Sequence, residues 1–303
     1  MANNMSRSAG FGALVSTMIA AVQWRLLLLW LLIMLIPATV VALPLWRMLS
    51  DLLDTSVHAA EWAQHFSDIM FNDLAFSLSE HSAWLGATAL LGLVLTLLLS
   101  PFLDGMIVGS GRAGRALGFG SLLQNGFVEY GRMFRIMVWS LVPYAIVMGV
   151  AAMGSHMADK HADKAVLESQ VDMYASIAHW VLLIVFVVVQ SIVESARAAF
   201  IADTGLRSAT RALGRGIRQL LRRPLRTLLF YLVVTVVGLL LASVFGVARI
   251  HVTAFGLFGF LLALVLSQLV VLTVGWMRTA RLFALAEVAR SLVPGSRPQA
   301  EYR

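Results

Sequence analysis

The sequence predicts an all-α, polytopic membrane protein of six transmembrane helices accompanied by interfacial amphipathic helices. Three observations carry this. Of 303 residues, 59% are hydrophobic and 13% charged, which would leave a soluble domain of this size with a large contiguous apolar surface. The apolar residues gather in six runs near or above the ~20 residues that cross a ~30 Å hydrocarbon layer. Charge also alternates in sign along the chain: nineteen of the 23 Lys and Arg fall in four segments, and these alternate with segments that hold ten of the 16 acids. Backbone polar groups in lipid must be satisfied within the element, so the runs are helices; barrel strands would be ~10 residues long with strict alternation.

The first span, about Leu26 to Trp46, follows an amphipathic stretch from Phe11 to Val22 that leads into Trp24 and Arg25. No cleavable leader is expected, because that short stretch runs directly into a longer hydrophobic segment. Between about Arg47 and Ala83, Leu52, Leu53, Ala59, Trp62, Phe66, Ile69 and Met70 recur at near-helical spacing, so one or two short helices are expected on the outer surface. The second span, Trp84 to Met106, aligns Thr96, Ser100 and Asp104 on one face, and Pro101 frees a backbone carbonyl there. After it, Gly109-Ser110-Gly111-Arg112-Ala113-Gly114 matches the dinucleotide-binding fingerprint. That motif works only between a strand and a helix of a parallel sheet, so a flexible turn is expected instead.

The third span runs from Ile136 to Gly154, a polar excursion from Ser155 to Ala175, and the fourth span from Ile177 to Val193, where Gln190, Glu194 and Arg197 form a stripe. From Ser208 the spacing predicts a helix with Leu213, Ile217, Leu220 and Leu221 on one face and Arg211, Arg215, Arg218 and Arg222 on another, ending before Pro224. The fifth span, Thr227 to Val247, turns tightly at Ala248 to Ala254 into the sixth, Phe255 to Met277. There Gly259, Ala263, Ser267 and Gly275 make a small-residue face, with Gln268 beside it and Arg278 at its end. The chain reads as a single integral membrane domain over residues 1–303.

The basic segments should face the cytoplasm, and six spans return both termini there. Trp24-Arg25-Leu26, Phe134-Arg135-Ile136 and Leu225-Arg226-Thr227 each stand between a helical segment and an apolar run, suggesting three hairpins, each preceded by an interfacial helix.

Intramembrane ionisable groups are costly unless paired, so Asp104, Glu194, Arg197 and Arg278, with Gln190 and Gln268, are the candidate site. They either line a cavity for a polar solute or lipid headgroup, or pair with one another and lock the helices. The helix bearing Arg211, Arg215, Arg218 and Arg222 either docks an acidic protein partner or anionic lipid headgroups, or simply anchors the chain. Its positive charge lies where anionic headgroups would be, so nucleic acid is not an expected partner. Six of the seven histidines, His58, His65, His81, His156, His161 and His251, lie at or beyond the outer boundary. Even His156-Met157-Ala158-Asp159-Lys160-His161 with Asp163 matches no closed metal motif, and neither metal nor cofactor is expected. Cysteine is absent and no serine sits in a nucleophile elbow, while Asp51 and Asp54 fall on an acidic loop. No enzymatic activity is expected.

Several of these motifs carry a resemblance. Trp24-Arg25, Pro101-Phe102-Leu103-Asp104-Gly105, Asn125-Gly126-Phe127, Gly131-Arg132-Met133-Phe134-Arg135, Val193-Glu194-Ser195-Ala196-Arg197, Leu206-Arg207-Ser208-Ala209 and Arg223-Pro224-Leu225-Arg226-Thr227 resemble an uncharacterised group of bacterial six-helix inner-membrane proteins. They are also similar to the membrane portion attached to some glycerophosphodiester phosphodiesterases. Glu194 stands where that group more often has Asp. The resemblance implies a bacterial cytoplasmic membrane location and Glu194 with Arg197 as a unit. It carries no phosphodiesterase activity, since that domain is missing from the chain. The expectation is a scaffold or accessory subunit; the alternative is a small transporter or lipid handler using the polar cluster.

Overall fold

A computed structural model of the chain describes residues 11–53, 72, 75, 76, 78, 79, 82–162, 168–252 and 256–292. Eight named helices account for nearly all of these: α1 (Phe11–Ala20), α2 (Trp24–Leu53), α3 (Ser82–Ala113), α4 (Phe119–Ala162), α5 (Glu168–Ala202), α6 (Ala209–Arg222), α7 (Pro224–His251) and α8 (Gly256–Arg290). All but α1 and α6 are long and apolar enough to cross a membrane, and the predicted spans fall inside them, apart from Phe255 at the start of the sixth, which lies outside the described residues. The short helices expected between Ala59 and Met70, together with His58, His65, His81 and Asp163, lie outside the described residues.

The helices overrun the predicted spans. At 44 residues α4 is roughly 66 Å long at 1.5 Å per residue, about twice the hydrocarbon thickness. The segment before Ile136, expected as a separate interfacial helix, is therefore the beginning of α4, because nothing between Phe119 and Arg135 interrupts helical bonding. On the far side α4 continues to Ala162 and α5 begins at Glu168, so most of the expected polar excursion is also helical.

The Gly109–Gly114 segment is not a turn. Gly109 and Gly111 lie within α3, where an added Cβ would come 2.3 Å from Asn125 Cγ and 2.9 Å from both Ile201 and Phe283 side-chain carbons. These glycines permit close packing against α4, α5 and α8. Gly114 ends the helix at φ +63°, the left-handed conformation glycine adopts without a Cβ clash. The carbonyl that Pro101 leaves without its helical donor is Leu97 O, and one residue on the Tyr130 hydroxyl of α4 donates to Leu98 O at 3.0 Å.

The buried core sits at the arginine-rich end of the bundle. Its principal cluster takes Leu26 and Trp30 from α2, Leu103 to Val108 from α3, Leu122, Met133 and Ile136 from α4, Ala196 and Phe200 from α5, and Leu282 and Leu285 from α8. Toward the other end the helices present exposed apolar residues such as Leu93, Ile146, Ile184, Leu240, Val244 and Phe258. In water each would cost burial energy, whereas facing lipid they cost nothing comparable.

α6 packs on a face turned away from the one its leucines suggest, and of these only Leu213 reaches the main core. Ser208 caps it, its hydroxyl accepting from Arg211 N–H. The buried positions are Ala209, Ala212, Gly216 and Gln219, while Ile217 and Leu221 are exposed. The reason is proximity: α5 approaches so closely that only small side chains fit between, and Gln219 follows by donating to Leu285 O of α8 at 3.3 Å.

Candidate functional site

Of the six candidate residues, four converge. Asp104 on α3 accepts from Arg278 on α8 at 2.8 Å and stands 3.4 Å from Arg197 Nε on α5. Arg197 also donates to Glu194 one turn earlier, at 3.0 Å. Arg278 adds a 3.0 Å bond to Ser100, one turn before Asp104, so the Ser100–Asp104 face predicted from spacing is real. Gln190, one turn further along α5, bonds the Tyr144 hydroxyl of α4 instead. Gln268 stands ten residues before Arg278, roughly 15 Å along the helix, and makes no hydrogen bond to the cluster.

Four contributors escape sequence inspection. Arg281, three residues beyond Arg278, is 9% exposed and lies over the Tyr231 ring of α7 at 5.4 Å. Trp30 of α2 lies 5.7 Å under the Arg278 guanidinium and packs against Gly275, where a Cβ would come 2.7 Å from its ring. With Tyr144 and Tyr231, every one of the six long helices supplies a side chain. The interior holds two carboxylates, both buried, against three guanidiniums. Asp104 Oδ1, Glu194 Oε2 and the Nε atoms of Arg197, Arg278 and Arg281 have no hydrogen-bond partner.

Asp104, Glu194 and Arg278 stand near the ends of the three even-numbered spans, and Arg197 joins Glu194 to the Asp104–Arg278 pair. At the hairpin starts, Leu26, Ile136 and Thr227 are each fully buried, as are Leu14 and Leu122 in the segments before them. The pairs α2/α3, α4/α5 and α7/α8 each pack together as hairpins. Only the second hairpin departs from the predicted plan, its leading helix being continuous with the span.

A second ionic cluster lies closer to the chain's basic end. Glu129 of α4, which is buried, accepts from Arg112 at 2.6 Å and Arg132 at 2.9 Å, and Arg112 Nε donates to Phe200 O of α5 at 2.8 Å. The arginine of the apparent fingerprint thus ties three helices together.

The four arginines of α6 remain at the surface. Arg215 pairs with Asp203 at 2.6 Å, and this hydrogen bond holds the Asp203 carboxyl below its ordinary 3.8. A depressed carboxylate adds stability that is present above the ordinary value and lost as pH falls through the depressed one. The melting-temperature difference between the wild type and Asp203→Asn should therefore be constant from pH 8 to 5 and shrink below pH 3.8. Both partners are well exposed, so the difference corresponds to at most about 1 kcal/mol. A difference that changes between pH 8 and 5 would contradict this.

Two of the cavities formed by the described residues open at this end. One, of about 470 Å³, lies among α5, α6 and α8 and is lined by Asp203, Arg215, Arg218, Gln219 and Arg222 with Ala202 and Leu292. The other, of about 380 Å³, lies between α1, the end of α3 and α8. None of Asp104, Glu194, Arg197 or Arg278 lines either. Along the His156–His161 stretch, where no metal motif is expected, His161 hydrogen-bonds Met157 O and its ring lies 4.5 Å from Tyr174, tilted by 32°.

Compared with family models, with curated proteins and with solved structures, the chain finds no match. Six long apolar helices make it a multi-pass membrane protein by architecture.

Proposed function

We propose that the protein is a non-catalytic component of the bacterial inner membrane, a scaffold or accessory subunit whose arginine-rich end faces the cytoplasm and engages a partner there. One observation supports this reading above the others: both carboxylates of the intramembrane cluster are paired with its arginines. Asp104 is shared between Arg197 and Arg278, and Glu194 pairs with Arg197, while neither described cavity reaches them. A transport site needs charges that meet solvent or substrate, whereas a scaffold needs a rigid platform. Cross-helix pairing supplies rigidity.

Because the chain has no cysteine, any introduced thiol is unique. Ser100→Cys and Ser195→Cys place it beside Asp104 and Glu194, and Thr204→Cys places it on the exposed connection before α6. In proteoliposomes, a charged thiol reagent is expected to label position 204 and spare positions 100 and 195. Rapid labelling at 100 or 195 would replace the scaffold reading with the transporter one.

A further inference from the structure

We propose that the groove between α5, α6 and α8 binds the phosphate group of an anionic glycerophospholipid. The inference stands apart from the scaffold reading, since a lipid can occupy this groove whether or not a protein partner exists.

The groove's charge is the first ground. Arg215, Arg218 and Arg222 follow one another along the α6 wall, and Asp203 offsets only Arg215. Arg218 and Arg222 make no ion pair or side-chain hydrogen bond among the described residues, so two planar guanidiniums are available to chelate non-bridging phosphate oxygens. The second ground is size: about 470 Å³ falls within the ~300–1,000 Å³ of ordinary ligand sites and exceeds what a bare phosphate fills. The remaining wall is apolar, with Ala199, Ala202, Ala289 and Leu292, which suits a glycerol backbone and the first acyl carbons.

Depth decides between a lipid and a free anion. On α6 the exposed Leu221, and Leu225 just beyond Pro224, are 76% and 82% exposed. These side chains sit stably only where they reach hydrocarbon, which puts the neighbouring arginines at phosphate level. The chain's net charge of +7 and the surface potential of an anionic leaflet favour the same occupant. Gln219 holds the wall in place from behind through its bond to Leu285 O.

The test uses the full-length protein in zwitterionic detergent, titrated with phosphatidylglycerol or with phosphatidylcholine of the same acyl chains and read by native mass spectrometry. Phosphatidylglycerol should be retained preferentially. The pair Arg218→Gln/Arg222→Gln should weaken its binding by about tenfold or more, from two lost charge-assisted contacts. The pair Arg207→Gln/Arg211→Gln removes equal charge outside the groove and should change it less than about twofold. Arg218→Lys/Arg222→Lys keeps the charge without the planar fork and should fall between. All three variants alter exposed side chains, and an unchanged melting temperature verifies folding. Equal loss in the two Gln pairs would reduce the effect to general surface charge. Equal retention of phosphatidylcholine, or displacement of phosphatidylglycerol by millimolar inorganic phosphate, would also overturn the proposal.

Discussion

Asp104→Ala is expected to lower the stability of the folded bundle by about 3–5 kcal/mol, the cost of stripping a buried charge of its partner. Asp104 is the only carboxylate within reach of Arg278 among the described residues, and it shares Arg197 with Glu194. Removing it leaves one carboxylate among three guanidiniums in a site where Arg197 and Arg281 are nearly closed from solvent. An ordinary hydrogen bond between membrane helices averages only about 0.6 kcal/mol, so a loss of several kcal/mol would identify an ionic lock rather than a polar contact. Asp104→Asn keeps the shape and should recover part of the loss through the Ser100 and Arg278 bonding. Thermal unfolding in detergent, with a double-mutant cycle through Arg278→Gln, measures the coupling directly. A cycle energy near zero, or an Asp104→Ala protein as stable as the wild type, would mean that the charges do not hold the helices together. Arg278→Gln alone should cost less than Asp104→Ala, because Asp104 then keeps Arg197 as a partner and Arg197 keeps Glu194.

Gly216→Val should release α6 from the bundle. A Cβ at this position would stand 2.5 Å from Ile192 O and 2.9 Å from Ala196 N, both backbone atoms of α5 that no rotamer change can move. Overpacking of this kind costs about 1–3 kcal/mol when relieved locally, and α6, held on its short buried face, relieves it by lifting away. The Gln219 bond to Leu285 and the arginine groove go with it. Trypsin reads the outcome, since α6 carries Arg211, Arg215, Arg218 and Arg222: cleavage there should accelerate while the long helices stay protected. Gly214→Ala is the matched control, with nothing within 4 Å of its Cβ, and should be neutral or stabilising by up to about 1 kcal/mol. Identical proteolysis of Gly216→Val and wild type would show that α6 is not docked through this face.

The contrast between these two sites shows where sequence reading works. Asp104, Glu194, Arg197 and Arg278 could be singled out because charge in an apolar run is expensive, and an expensive residue needs a reason wherever the fold places it. Gln268 drew notice for the same reason, yet a neutral amide carries a smaller penalty and stands apart from the cluster. Arg281 and Glu129 lie beyond the hydrophobic runs, where a charge demands no special reason; both are buried because α4 and α8 continue past those runs as packed helices. α6 misled differently: its leucines were visible, but the face that docks is made of Ala209, Ala212 and Gly216, whose value is the room they leave.

What the sequence alone determined is everything that depends on transfer between water and hydrocarbon: six helices, their order, the segregation of positive charge and the identity of the costly residues. These follow from side-chain chemistry and chain length, which need no knowledge of neighbours. Only the tertiary structure decided which residues meet. It joined Asp104, Glu194 and Arg278 from three helices through Arg197, placed Trp30 under Arg278, and turned the glycines of an apparent nucleotide fingerprint into helix contacts. Lipid outside and lipid-like interior offer an apolar side chain almost the same solvent, so hydrophobicity cannot choose the inward face. Charge pairing and the close approach allowed by small residues make that choice, and both act only between segments already brought together.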